Sequence, residues 1–192
     1  MIYIAAGILG LIIIHIFDIV SSRKISSGVK PFVWIMGSGL LGYSIVMLCL
    51  ESNILPLPLW VTWLGWGLLT LSLFLLVYSL FINLPFHKTY IATGTGDKLV
   101  KSGFYALVRH PWIHCFTLVL VSLILVSKSS LLLIAAPIFI LLDVVLVIVQ
   151  DKFFFVRMFD GYRQYQQETP MLVPNRRSIN AFIEGLRLDR VK

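Results

Sequence analysis

LLLIAAPIFILLDVVLVIV, residues 131–149, runs for nineteen residues with a single charge, Asp143. Coiled into a helix at about 1.5 Å per residue it reaches roughly 28 Å, close to the hydrocarbon thickness of a bilayer. In lipid every backbone amide needs an internal partner, so such a run is a helix. The same reading extends outward to Ile2–Val20, Pro31–Leu50 and Leu57–Phe86. Trp112–Val126 is shorter and spans if it tilts or borrows Phe104–Val108. Alternating segments of the barrel type are absent from the sequence. Only 13% of the 192 residues are charged and 58% are hydrophobic, against about 25% charged in soluble domains. The fold class expected is all-α: a polytopic membrane bundle of about five transmembrane helices with a C-terminal amphipathic interfacial helix.

The first run lacks a basic n-region and a small-residue cleavage site, so it reads as a span rather than a signal peptide. Cys49 and Cys115 fall inside apolar runs and read as small core residues, not a disulfide. The net charge of +7 invites a nucleic-acid reading, but its placement argues otherwise. With five spans and the N-terminus outside, segments 21–30, 87–111 and 150–192 are cytosolic. Together they hold fifteen of the sixteen basic residues, and only Lys128 lies elsewhere. That asymmetry is the positive-inside rule. The partners implied are the bilayer and its anionic headgroups, not nucleic acid; nothing in the sequence sets the oligomeric state.

Glu51–Pro58 and Ser127–Ser130 read as short outer turns, and His87–Arg109 as a longer cytosolic link containing TGTGD (93–97). DKFFFVRMFDGYRQYQQET (151–169) mixes charge and aromatics at a helical period, as a surface helix does. Pro170 and Pro174 end it. The chain divides into three N-terminal spans (1–86), a polar-rich region (87–174) and a basic tail (175–192), within one membrane domain. Gly94 and Gly96 follow no predicted strand, so a dinucleotide-binding loop is not expected. GSGL (37–40) reads as close helix packing rather than a nucleophile elbow. His110 and His114 share an i, i+4 spacing. With His87 the only other cytosolic histidine, no metal is expected. His15 and Asp18 are expected to face each other or interfacial water. Asp143 is expected to face the bundle interior, for packing or for a pocket.

Polar chemistry concentrates in KSGFYALVRHPWIHC (101–115). Pro111 disfavours helix at His110 and suits the first position of the next helix. Arg109 and His110 then sit at a helix N-terminus, where free N–H groups favour an anion. Arg109 adds a planar fork for carboxylate or phosphate.

LVKSGFYALVRHPWI (99–113) resembles the L-V-x-x-G-x-Y-x-x-x-R-H-P-x-Y signature of the isoprenylcysteine carboxyl methyltransferase family. That family stands beside the phospholipid N-methyltransferases among integral-membrane enzymes using S-adenosylmethionine. Leu99, Val100, Gly103, Tyr105, Arg109, His110 and Pro111 match. Anchoring on Tyr162 and Tyr165 places Thr169-Pro170 and Val173-Pro174 on the family's proline exit, and Gln150-Asp151 on its Glu pair. The resemblance covers about 97–174.

The resemblance implies S-adenosylmethionine as cofactor, held between the last two spans and the cytosolic segments. It implies cofactor contacts at Leu99, Val100, Gly103, Tyr105, His110, Pro111, Trp112, Ile113 and Asp151, with Arg109, His110 and Asp151 as the catalytic set. Asp143, Val147 and Tyr162 fall on the substrate side. The acceptor implied is a lipophilic molecule methylated at the cytosolic face. The sequence departs from the pattern at Ile113, Gln150 and Val147, where the family carries tyrosine, glutamate and arginine. These departures touch the prenylcysteine substrate more than the cofactor, so a phospholipid amine stays open as acceptor. An NADPH-dependent sterol-type reductase is a further alternative, weakened by the few arginines near the site.

Overall fold

The computed structural model describes residues 1–22, 28–85, 89 and 99–189. His87, Gly94, Gly96 and the TGTGD turn lie outside the described residues. The regular structure among the described residues is all helical, apart from one isolated bridge. In order come α1 (Ile2–Ser22), α2 (Val29–Cys49), α3 (Leu59–Val77), α4 (Phe104–Leu107), α5 (Pro111–Ser127), α6 (Ser130–Val149), α7 (Phe155–Met158), α8 (Tyr162–Glu168) and α9 (Arg176–Asp189). Four helical rods are long and apolar enough to cross a membrane: α1, α2, α3 prolonged to Ile82, and α6 prolonged to Met158. α5 is apolar but has only 17 residues, about 25 Å of rise.

The core lies between α1, α2, α5 and α6, where Leu11, Leu48, Leu120, Leu132 and Phe139 are almost wholly buried. α3 packs outside α5 and leaves Trp60, Trp63 and Trp66 exposed. Exposed apolar area of that extent suits lipid rather than water. α1 and α2 touch backbone to backbone: a Cβ on Gly37 would lie 2.7 Å from the Ile14 nitrogen, and one on Gly10 equally near Leu41 N. Small residues permit this approach. Gly37 therefore performs the packing role read for GSGL, whereas a Cβ at Gly39 would meet nothing.

At one end the two short turns are zipped together. Leu55 N–H donates to Lys128 O at 2.7 Å and Ser130 N–H to Asn53 O at 3.0 Å. The Lys128 ammonium donates to Leu57 O at 2.9 Å. Ser129 caps α6 by accepting from Leu132 N–H while its own hydroxyl donates to Leu48 O.

The segment 151–169 is not the single surface helix expected. α6 runs on through a π-helical turn, Gln150–Phe154, into α7, so Asp151 belongs to the last rod. The chain then breaks at Phe159–Gly161, where Gly161 takes a left-handed φ of 77°, and restarts as α8. Only glycine adopts such a φ freely. α9 is the amphipathic C-terminal helix, its start closed by reciprocal Asn175–Ser178 hydrogen bonds. It packs Phe182 against Phe104 at 6.2 Å between ring centroids.

Candidate functional site

The end opposite the zipped turns gathers the motif, the α6 extension and α8. As the sequence predicts, Pro111 is the first residue of α5 and His110, with φ −127° and ψ 67°, is its non-helical cap. The extended pair Arg109-His110 runs beside the proline exit: its two N–H groups donate to Pro170 O (3.0 Å) and Met171 O (3.3 Å). The motif and the C-terminal segment are thus tied through their backbones.

From that fixed backbone the Arg109 side chain enters the interior and grips Asp151. Nε donates to Oδ1 and Nη2 to Oδ2, both at 2.8 Å. Nη1 donates to the carbonyls of Gln166 and Thr169. Asp151 also accepts from the Tyr162 hydroxyl (2.6 Å), from His110 Nε2 (3.2 Å) and from Gln166 Nε2 (3.0 Å). A two-pronged guanidinium–carboxylate contact is among the strongest geometries available, and here every remaining lone pair is occupied. The fork expected to wait for an anionic ligand is therefore filled from within the chain. Both π-helical turns serve this region. The extra residue at Gln150–Phe154 turns Asp151 toward Arg109. The turn at Tyr78–Ile82 presents Ser79 O to the Tyr105 hydroxyl and Tyr78 to the Phe104 ring, 5.1 Å away.

The loop before the motif is pinned by Asn83, whose Oδ1 accepts from Phe104 N–H (2.9 Å) and whose amide donates to Ser102 O (3.1 Å). Gly103 makes room with φ 59° and ψ −137°. The Tyr165 hydroxyl donates to Tyr105 O, and His110 stacks on Phe155 at 5.7 Å with planes 15° apart.

These contacts set the charges. Burial opposes the Arg109 charge, but the hydrogen bonds and charge of Asp151 more than reverse this, so Arg109 holds its proton harder than usual. Burial raises Tyr162, and its bond to ionised Asp151 raises it further, fixing the hydroxyl as a donor. Burial lowers His110 below its ordinary 6.5, Asp151 opposing only in part. His110 is neutral, with the proton on Nε2. A histidine buried neutral binds fewer protons folded than unfolded, so its stability is complete above about pH 6.5 and lost as the pH falls below it. The unfolding midpoint is expected to drop between pH 7 and 5, and His110→Gln to flatten that slope, read by thermal melts in detergent.

A cavity of about 450 Å³ opens beside this clamp, between α1, α2, α3, α5 and the α7–α8 segment. Small-molecule and cofactor sites run roughly 300–1,000 Å³. Of the residues singled out in the sequence, Leu99, Val100, Tyr105, Arg109, His110, Trp112 and Tyr162 line it. Pro111, Ile113 and Val147 are buried but do not line it, Gly103 sits behind at the Asn83 contact, and Asp151 lies behind Arg109. His114 is exposed and does not converge with buried His110, and no group of three metal-ligating side chains forms among the described residues.

Sequence reading missed the far wall. His15, Asp18 and Ser21 of α1 line the cavity with Gln150. His15 does not face Asp18: its Nε2 lies 3.9 Å from Asp143 Oδ1, and Asp18 accepts from the Gln150 amide. The i, i+3 spacing on α1 was the available signal, but only the crossing of α1 over α6 supplies these partners. Gln166 and Asn83, which complete the clamp and pin the loop, carry no pattern in the sequence. Comparison with known proteins finds no matching family model, no similar curated protein and no similar solved structure.

Proposed function

We propose that this protein is an S-adenosylmethionine-dependent methyltransferase of the isoprenylcysteine and phospholipid methyltransferase type, acting on a lipophilic acceptor. The observation carrying the reading is the cavity itself: a mostly apolar chamber among membrane-length helices, walled at one end by the Tyr105–Arg109–His110 motif that resembles that family. In the membrane α5 completes a fifth span, the N-terminus lies outside and the cavity faces the cytosol. The basic residues around the motif and in α9 support that orientation.

The lining fits the cofactor's chemistry. Tyr105, Trp112, Phe155 and Tyr162 offer aromatic faces to a cation. The first-turn amides of α5, Trp112 among them, point toward the N-terminal end, where a carboxylate is stabilised. Bound there, S-adenosylmethionine supplies a methyl group already activated by its sulfonium. The chain's part is to position and desolvate. The Arg109–Asp151 clamp holds His110 and Tyr162 in place, and the apolar walls exclude water from the reacting groups. NADPH fits less well. Among described lining residues Arg109 is the lone arginine and its fork is filled, while Arg157 and Arg163 are exposed.

Calorimetry in detergent is expected to show binding of S-adenosylmethionine and its demethylated product but not of NADPH. His110→Ala should weaken that binding by about 1–3 kcal/mol, the scale of a lost charged hydrogen bond. Binding of NADPH alone would replace this reading with the reductase.

A further inference from the structure

α9 carries an apolar surface left open among the described residues. Helical spacing sets Ile179, Ile183 and Leu186 in one stripe, at i, i+4 and i+7, and all three are exposed. Arg176 and Arg187, three before Ile179 and four after Ile183, border the stripe and are exposed too. Exposed Arg177 and Glu184 fall on the far flank, roughly 140° from the stripe, and offset each other. The inner side of α9 packs on α4, where Phe182 meets Phe104. Phe104 also meets Tyr78, at 5.1 Å, in the last turn of the α3 rod, which ends at Ile82. This Phe182–Phe104–Tyr78 bridge sets α9 beside a rod end, where hydrocarbon gives way to headgroups. The rod's Val77 and Ile82 are themselves exposed, so α9 adjoins a surface that lipid covers. A stripe bordered by arginines at that level fits acyl chains on its apolar side and lipid phosphates at its edge.

We infer that an anionic lipid surface docks α9 and thereby braces the cavity wall, so that acidic phospholipid tightens cofactor binding. α4 is a single turn, Phe104–Leu107, too short to hold its own shape. It carries Tyr105 into the wall of the cavity, and packing from α9 is one of its supports. Phosphates that hold Arg176 and Arg187 fix α9 in the plane of the membrane. Phe182 then bears on Phe104, and Tyr105 keeps its place. The docking needs only the rods in a bilayer, whereas the gain in cofactor binding rests on the methyl-transfer reading.

The test places the full chain in nanodiscs of phosphatidylcholine, with or without added phosphatidylglycerol, and follows amide hydrogen exchange. The anionic lipid should slow exchange in α9 by roughly 30-fold, the scale of two arginines at an acidic surface, and slow it also in Phe104–Leu107. Arg176→Gln combined with Arg187→Gln should abolish the difference while leaving exchange in α1 and α6 unchanged. Phe182→Ala should keep the slowing in α9 but lose it in α4. S-adenosylmethionine should bind more tightly in the anionic discs, and Phe182→Ala should erase that gain. Equal exchange in the two lipids, or a difference that survives the double arginine change, would overturn the docking. Protection that appears only when a second copy shares the disc would overturn it as well, in favour of a protein contact. Slowing in α9 with none in α4, or cofactor affinity equal in the two lipids, would overturn the brace. A wild type that binds no cofactor in either lipid would overturn the methyl-transfer reading, and the exchange result would still decide the docking.

Discussion

Asp151→Ala is expected to destabilise the protein by about 3–5 kcal/mol, the cost of removing one partner from a buried ion pair. The Arg109 and Asp151 side chains are 8% and 5% exposed, so water cannot replace the lost carboxylate. Four side chains lose an acceptor together: Arg109, His110, Tyr162 and Gln166. Asp151→Asn keeps the shape but forfeits the charge that holds the guanidinium, and should fall between the two. Arg109→Lys should fare little better, because one ammonium cannot span both carboxylate oxygens and the carbonyls of Gln166 and Thr169. The check is a double-mutant cycle from denaturation midpoints in detergent. Arg109→Ala with Asp151→Ala should be much less damaging than the sum of the single changes, since neither charge is then stranded. Additive losses would mean that the pair is not coupled.

Gly103→Ala is expected to have the next largest effect. A φ of 59° with ψ −137° is essentially a glycine conformation, and forcing another residue there costs about 1–3 kcal/mol. The added Cβ would also lie 2.3 Å from Asn83 Oδ1, so Asn83 must release Phe104 N–H or Ser102 O. The helix that carries Tyr105 would then lose its anchor. Both stability and cofactor affinity should therefore fall, although Gly103 does not itself line the cavity. Asn83→Ala should reproduce part of that loss, because it frees the same backbone groups without straining residue 103. Unchanged melting and binding in Gly103→Ala would show that the pinned loop is irrelevant to the site.

The rods were legible because lipid imposes one rule on the backbone, and the eighteen uncharged residues around Asp143 in 131–149 satisfy it only as a helix. Pro111 announced the start of α5 by the same local logic. What sequence could not supply was partner choice. Arg109 reads equally as an open fork or a filled one, and the answer depends on Asp151, 42 residues away. The π-helical turn that aims Asp151 has no sequence signature, so 151–169 looked like one surface helix. His15 and Asp143 lie on different rods, and only the packing of α1 on α6 brings them together.

We propose that S-adenosylmethionine occupies the cavity beside the Arg109–Asp151 clamp. The most direct measurement is ultraviolet cross-linking of the labelled cofactor to the full chain in nanodiscs, with the labelled residues read by mass spectrometry. Saturable labelling is expected at Tyr105, Trp112 or Phe155, suppressed by the demethylated cofactor and lost in Asp151→Asn. Labelling that does not saturate, or that falls only on exposed residues such as Trp60 and Trp63, would contradict it.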